Sequence, residues 1–226
     1  VARMRGARAE EAVFESHTAV TGNTGFLGIP MLALLMGPAA AGPVLLVLAM
    51  DLALFSSLLT LLITGLRQGK MHLSVLRTLG LGLLKNPMIV SIVLGLAWGA
   101  TGWSLPQPMN EFLVLLGAAA TPCALFAIGA SLAGNKAERL GVALWLSFAK
   151  LVLHPLAVAI ASMWLFDVDP FAAAVMTAAA ALPVAGNVFI LAQHYGVAPQ
   201  RVSASILIST LASVLTVTCV IAWLGV

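Results

Sequence analysis

Charged residues are what this sequence lacks most. Of its 226 residues only 8% are charged and 61% are hydrophobic, and the mean hydropathy is +1.07. A soluble domain carries about 25% charged residues to cover its surface. A chain this poor in charge needs the lipid bilayer as its solvent, so soluble classes are excluded. The net charge of +3 then reflects orientation in the membrane, and we expect no nucleic-acid partner.

Motifs that carry enzyme chemistry are also missing. The sequence has no GxxxxGK[ST] loop for ATP and no HExxH zinc motif. Its two cysteines, Cys123 and Cys219, both fall in apolar stretches and give neither a disulfide framework nor a metal spacing. We therefore predict that the protein is not an enzyme and has no metal site and no cofactor.

What the sequence does contain is seven long apolar stretches. About 20 apolar residues in a helix cross a hydrocarbon core of about 30 Å. Because these stretches are continuous rather than alternating, they predict helices and not barrel strands. The stretches are residues 12–36, 43–66, 86–103, 109–133, 140–165, 170–194 and 202–225. Between the second and third, residues 67–85 predict an amphipathic helix on the membrane surface.

Lysine and arginine are distributed unevenly between the two sides of this predicted bundle. If every stretch spans, ten of the eleven basic residues lie on one side. The positive-inside rule places that side in the cytoplasm and the C-terminus outside the cytoplasm. We expect the membrane to be the plasma (inner) membrane. The ten residues are Arg3, Arg5, Arg8, Arg67, Lys70, Arg77, Lys85, Lys136, Arg139 and Arg201.

Two of the apolar stretches are interrupted near their middle. Residues 21–30 read TGNTGFLGIP and residues 182–187 read LPVAGN. Inside a helix, glycine costs about 1 kcal/mol and proline about 3 kcal/mol. The charge pattern makes the two stretches run in opposite directions, which is typical of an inverted-repeat transporter with its site at the midplane. The alternative is that proline and glycine are simply frequent in membrane helices; that explains one interruption better than two.

A repeat of five helices fits these positions. Residues 86–226 then form the second repeat, with its fourth helix broken, and residues 1–66 form the end of the first repeat. Residues 67–85 are the cytoplasmic connector. This arithmetic predicts a ten-helix all-α membrane protein of which the chain holds about seven helices. The chain begins at Val1 rather than at methionine, and we expect three helices to precede it.

Several motifs resemble those of the auxin efflux carrier family, in its bacterial branch of malonate and malate permeases. The resemblance covers nearly the whole chain. It rests on residues 23–30, on Asn86 with Pro87, on Pro122 followed by residues 124–132, and on Leu182 and Pro183 with Asn187. It implies two inverted five-helix repeats, a scaffold domain beside a transport domain, and organic anions as substrates. It also implies roles at the crossing for Asn23 with Pro30 and for Asn187 with Pro183.

The two breaks give a predicted substrate site. A helix that restarts after a break presents free N–H groups and a partial positive charge, which favour an anion. The carboxamides of the two asparagines would donate to that anion and hold the crossing backbones. The predicted substrate-binding residues are Asn23, Thr24, Gly25, Pro30, Pro183, Gly186 and Asn187.

Three polar residues inside the apolar stretches form a second predicted group. A charge at the bilayer centre costs at least about 2.5 kcal/mol, so Asp51 and Lys150 should face the protein interior. Three roles are open to Lys150: counter-charge for an anion, proton exchange, or pairing with Asp51 or another acid. His154 lies one turn from Lys150 and is either part of this group or a packing histidine. His17 is expected near the membrane interface.

These features favour a secondary carrier of small organic anions such as dicarboxylates, working by alternating access. Coupling to H⁺ or Na⁺ is open, as is the identity of the substrate. The alternatives are a membrane channel or receptor and, less favoured, an intramembrane enzyme. The expected partners are the substrate and the bilayer, with a homodimer as a further expectation.

Overall fold

The computed structural model describes residues 1–68, 87–133 and 140–225, together with Leu81 and Leu84. Within these residues the fold is helical and contains no β-strand, which confirms the predicted all-α class. The α-helices are α1 (Ala9–Val20), α2 (Ile29–Met36), α3 (Ala41–Met50), α4 (Ser56–Gln68), α5 (Pro87–Thr101), α6 (Gln107–Ala133), α7 (Leu140–Phe148), α8 (His154–Ile160), α9 (Pro170–Ala180), α10 (Gly186–Tyr195) and α11 (Pro199–Leu224).

Each of the seven predicted stretches is helical over most of the residues that the structure describes. Within the part of the chain that the structure describes, three continuous helices are long and apolar enough to cross a membrane by length and composition: Pro38–Arg67, Leu140–Leu165 and Pro199–Leu224. Two shorter apolar helices, Thr24–Met36 and Pro170–Ala180, are those next to the predicted breaks. Most of the predicted connector at residues 67–85 lies outside the described residues.

Wider, π-helical turns interrupt the long helices of the described part at Thr24–Gly28, Asp51–Phe55, Ala149–Leu153 and Ala161–Leu165. Such turns occur often at functional sites. Here one begins at Thr24, one begins at Asp51 and one contains Lys150. Three of the four therefore place a predicted site residue on a distorted part of its helix.

Both predicted breaks are present. Helix α1 ends at Val20, the chain is extended through residues 21–23, and helical structure resumes at Thr24. Helix α9 ends at Ala180, and α10 begins at Gly186. Leu182 precedes Pro183, and a proline disfavours helical backbone angles in the residue before it. The second break thus follows directly from the Leu-Pro pair.

Two apolar clusters lie on either side of these breaks. The first joins α1, α4, α10 and α11, and the second joins α2, α3 and α9. Val184 belongs to the first cluster and Leu182 to the second, so the second break passes between them. The first cluster contains Phe14, Leu59, Ile63, Val184, Ala185, Val188, Ala192, Val197, Val202 and Ile206. The second contains Leu32, Ala40, Val44, Val175, Ala178, Ala179 and Leu182.

Helix α9 is rich in buried alanine. Its sequence is PFAAAVMTAAA, and most of its alanines are buried. Lipid tails are as apolar as leucine, so membrane helices gain from close packing of small residues rather than from hydrophobic burial. The alanines let neighbouring helices approach the α9 backbone, and α8 and α3 both pack against it.

Helices α5 and α6 differ from the rest of the described bundle. None of their side chains that the structure describes is buried. Helix α6 contacts the π-helical segment Thr24–Gly28, directly after the first break. The side chains that the structure describes on these two helices therefore lie outside the core that surrounds the breaks.

Candidate functional site

The two breaks cross each other and pair through their backbones. The Asn23 N–H donates to the Pro183 carbonyl at 2.8 Å, and the Ala185 N–H donates to the Thr21 carbonyl at 3.2 Å. Between these bonds Gly22 lies opposite Val184 in an antiparallel bridge. Backbone groups freed from a helix need partners where water is absent. The two extended segments supply these partners to each other.

Asp51 is hydrogen-bonded to the end of the first of these segments through Thr24. The Thr24 hydroxyl lies 3.3 Å from Asp51 Oδ2 and 3.4 Å from the Gly22 carbonyl, so it has two acceptors within reach. Both side chains are buried. Asp51 thus places a carboxyl group beside the start of the helical segment that follows the first break. A negative group is favourable there because a helix N-terminus carries a partial positive charge.

Lys150 lies at the other helix end of the crossing. Its side chain has 0% exposure, and its Nζ donates to the carbonyl of Ala180, the last residue of α9. The same Nζ lies 3.2 Å from His154 Nδ1, which is itself 3.2 Å from the Ala180 carbonyl. A cation at a helix C-terminus offsets the partial negative charge there. Lys150 therefore satisfies a carbonyl that the break leaves without a helical partner.

The absence of a side chain at Gly22 leaves room for the ammonium group of Lys150. A Cβ at Gly22 would lie 3.3 Å from Lys150 Nζ and 3.4 Å from the Ala179 carbonyl. The ammonium group is therefore packed against the first extended segment as well as against α9. No ion pair within 4.0 Å joins Asp51 and Lys150 among the described residues. The structure brings both predicted charges to the crossing but does not bond them directly.

The two predicted asparagines have different surroundings. Asn23 is buried and holds the crossing with its backbone N–H, whereas the sequence predicted that its carboxamide would do so. Asn187 lies in the first turn of α10, and its Oδ1 is buried without a hydrogen-bond partner in the described part of the chain.

The other predicted residues are less uniform in position. Gly25 lies in the π-helical segment, and Gly186 begins α10. Pro183 is in the crossing itself, where its carbonyl is an acceptor. Pro30 is not at the crossing: it lies in the first turn of α2, where a missing N–H is tolerated. His17 is buried and its Nδ1 lies 3.3 Å from the Thr21 hydroxyl, so its side chain faces the interior of the bundle.

Sequence reasoning missed one polar residue of the crossing. The Val184 N–H donates to Ser209 Oγ at 3.1 Å, and Ser209 lies on α11. Helix α11 carries several serines, and nothing in their spacing distinguishes the one that reaches another segment.

Sequence reasoning also missed a group of ion pairs at one end of the bundle. Arg201 pairs with Glu15 at 2.6 Å and with Glu11 at 3.5 Å, and Arg5 also pairs with Glu15. Separately, Arg67 pairs with Glu10 at 3.0 Å.

Arg67 also bonds the C-terminal end of α10. Its Nη2 donates to the Tyr195 carbonyl at 2.6 Å. The arginines of this group come from three of the four regions predicted to share one membrane side. They meet at one end of the bundle.

Two apolar grooves flank α11 rather than the crossing. One, of about 560 Å³, lies between α2 and α11 and includes Leu27, Met31 and Ser213. The other, of about 350 Å³, includes Pro155 and Trp223. Neither is lined by Asn23 or Asn187. Residues 21–24 and 181–185 are all buried, so the crossing in this conformation is closely packed.

Two comparisons with known proteins bear on this arrangement. The sequence profile of the family described as "Membrane transport protein" matches residues 1–221. A protein of Rhizobium meliloti (strain 1021) named "Putative malonate transporter" is 34% identical over 213 residues. The match covers 92% of this chain and 66% of that protein, so the chain spans about two thirds of the relative's length. The chain belongs to the membrane transport protein family, the family of the auxin efflux carriers that its motifs resemble.

Proposed function

We propose that the full-length protein is a secondary carrier of small organic anions that works by alternating access. The observation that carries this proposal is the antiparallel pairing of two broken helices at Gly22 and Val184. Broken helices that meet inside a bundle are where secondary transporters bind substrate and coupling ion. The activity is transport, and no reaction is assigned to the chain.

The proposed site lies where helical structure restarts after each break, at Thr24 and at Gly186. Free N–H groups and the positive end of the helix dipole favour an anion at both places. Asn187 brings a carboxamide to the first turn of α10, and a bound carboxylate would accept from its amide nitrogen. Asn23 lies at the matching end of the first segment.

A dicarboxylate such as malonate is the proposed substrate. The Rhizobium meliloti relative is named for malonate, and its similarity extends over most of this chain. A small anion also suits the start of α10, because the helix dipole there can offset a carboxylate, whereas the start of the first segment already has Asp51 beside it. The closely packed crossing argues for small substrates.

Lys150, Asp51 and His154 are proposed to set the charge of the site. Lys150 offsets the end of α9 and Asp51 lies at the start of the segment after the first break. Transport of a dianion changes the charge next to both groups, so either can exchange a proton during the cycle. We propose coupling to H⁺ through these residues. Coupling to Na⁺ is the alternative, and imposed H⁺ and Na⁺ gradients distinguish the two.

We further propose two inverted five-helix repeats, of which residues 86–226 form the second, and a homodimer in the membrane. The antiparallel direction of the two extended segments supports opposite orientations of the broken helices. The arginines that meet at one end of the bundle support a cytoplasmic location for that end in the plasma (inner) membrane. The C-terminus then lies outside the cytoplasm.

Flux measurements in proteoliposomes test the proposal. The full-length protein is offered malonate, malate, succinate and a neutral sugar, under an imposed H⁺ or Na⁺ gradient. We expect saturable uptake of a dicarboxylate but not of the sugar. Single-channel currents would contradict a carrier, and no flux of any carboxylate would contradict the substrate class.

Variants of the two asparagines locate the site. Hydrogen bonds to charged groups contribute about 1.5–3 kcal/mol, so Asn23→Ala and Asn187→Ala should each lower uptake roughly 10- to 100-fold. The control is Asn110→Ala, because Asn110 is exposed on α6. Wild-type uptake in both site variants would contradict the location of the site.

A further inference from the structure

The bridge at the crossing leaves one buried amide of the second segment without a partner in the first. In that segment Pro183 and Ala185 bond the first segment, and Pro183 has no N–H of its own. Val184 lies between them and its N–H points elsewhere. A buried donor without a partner is costly, so this amide needs an acceptor from a third element.

Ser209 is that acceptor. Its Oγ accepts the Val184 N–H at 3.1 Å and donates to the Ile206 carbonyl at 3.1 Å. A hydroxyl has one hydrogen to donate, and the bond to its own helix uses it. The oxygen lone pairs are then turned toward Val184. Ser209 has 0% exposure, so water does not compete for this bond.

Other serines of α11 behave differently. Ser205 donates to Arg201 and Ser213 donates to Thr210, each within its own helix. Such bonds are ordinary for serine in a helix. Among these three residues, Ser209 is the one whose hydroxyl also holds another segment of the chain. Ser205 has the same 0% exposure and is therefore a matched comparison.

A similar anchor holds the first segment. Thr24 is bonded by Asp51, which lies at the end of α3, the helix that follows the first broken helix in the chain. Ser209 lies on α11, which likewise follows the second broken helix. Each segment of the crossing is thus held by a polar side chain from the next helix. One anchor is ionisable and the other is neutral.

We propose that Ser209 is a positioning residue of the carrier site: it fixes the second extended segment and, through it, the start of α10 with Asn187. The effect on substrate rests on the proposed function. The effect on the segment does not, because it follows from the hydrogen bond alone. Loss of the hydroxyl should loosen residues 181–187 and weaken substrate binding without changing the rest of the fold.

Hydrogen exchange of the full-length protein tests the first part. A buried donor without an acceptor destabilises the closed state of its segment, so local unfolding becomes more frequent. We therefore expect Ser209→Ala to speed amide hydrogen exchange in peptides covering residues 181–187 at least about fivefold. Peptides of α1 should be unchanged. Ser209→Thr keeps the hydroxyl and therefore the hydrogen bond. Its peptides covering residues 181–187 should exchange within about twofold of the wild-type rate. Ser205→Ala should match wild type.

Three results would overturn the inference. They are unchanged exchange in Ser209→Ala, an equal increase in Ser205→Ala, and an increase spread evenly over all peptides. The last would mean general destabilisation rather than a local anchor.

Uptake of radiolabelled malonate tests the second part. We expect Ser209→Ala to raise KM at least about fivefold, with Vmax per mole of reconstituted protein within about twofold of wild type. An unchanged KM together with faster exchange would overturn the effect on substrate. If the wild-type protein transports no carboxylate, the proposed function fails, while hydrogen exchange still decides whether Ser209 holds the segment.

Discussion

Gly28 and Leu182 approach so closely that no methyl group fits between them. A Cβ at Gly28 would lie 2.6 Å from Leu182 Cδ1, and Leu182 is completely buried. Gly28 ends the π-helical segment after the first break, and Leu182 precedes the proline of the second. The two broken helices are therefore fitted to each other by side-chain packing as well as by backbone hydrogen bonds.

Gly28→Ala should destabilise the protein by about 1–3 kcal/mol, as overpacking does in a full core. Leu182→Ala provides space, so the double variant should lose less than the sum of the two single losses. Thermal unfolding in detergent gives all three values. Gly42→Ala is the control because a Cβ there meets nothing within 4 Å. Additive losses in the double variant would contradict the contact.

Gly22→Ala should affect transport more than stability. The new Cβ would lie 3.3 Å from Lys150 Nζ, the end of a flexible side chain that can shift by a few tenths of an ångström. That shift moves the ammonium group relative to the Ala180 carbonyl. We expect uptake of malonate to fall by roughly tenfold, since small displacements at a site are costly. Gly141→Ala, in open space, should transport as wild type does.

A double-mutant cycle tests whether Lys150 and Asp51 act together. Lys150→Met removes the ammonium donor of the Ala180 carbonyl and leaves His154 Nδ1 as the other nitrogen within reach, so it should cost about 1–3 kcal/mol of stability. Asp51→Asn removes the other charge. If the charges offset each other across the crossing, the double variant should recover about 1 kcal/mol relative to the sum. Simple additivity would contradict structural pairing and favour separate roles.

The buried ion pair of Arg201 with Glu15 should contribute to stability. Breaking a buried pair by removing one partner costs about 3–5 kcal/mol when the other charge stays buried alone. Arg5 still pairs with Glu15 in Arg201→Met, so the loss should be smaller than this but should still lower the unfolding temperature. Arg8→Met is the control, since Arg8 is exposed. Equal stability of the two variants would show that the pair contributes little.

The pair of Glu10 and Arg67 should give stability a weak dependence on pH. The hydrogen bond from the Arg67 side chain, and then its charge, hold the pKa of Glu10 below the usual value. A lowered pKa means that the stabilisation is present above the ordinary glutamate pKa and is lost as pH falls through the value in the folded protein. Unfolding temperatures of Glu10→Gln should thus fall less than those of wild type as the pH is lowered from 7 to well below the ordinary glutamate pKa of about 4.5.

The sequence predicted the parts of this site but not their connections. Hydropathy located the helical stretches, and glycine and proline located both breaks, because each effect is local to a few residues. The pairing of Thr21 with Ala185 depends on packing between distant parts of the chain. Asp51 and Lys150 could be placed in the interior by their cost in lipid. Their separate contacts with Thr24 and Ala180 could not.

The contacts of polar residues such as serine and glutamate were harder to predict from the sequence. A serine in a membrane helix can bond its own backbone, so Ser209 carries no signal of its own. The charge rule placed Arg67 and Arg201 on one membrane side, yet it is insensitive to acids and so did not reveal Glu10 or Glu15 as partners.

Pro183 has a consequence for the alignment of the two extended segments. In the observed register the Pro183 carbonyl accepts from Asn23 and the Ala185 N–H donates to Thr21. If the second segment slid by two residues, Pro183 would have to replace Ala185 as the donor to Thr21. Proline has no N–H, so this register would lose that hydrogen bond. Sliding it the other way would require Asn187, whose backbone is already part of α10. The two neighbouring registers are therefore disfavoured, which favours motions that carry the two segments together over motions that slip one along the other.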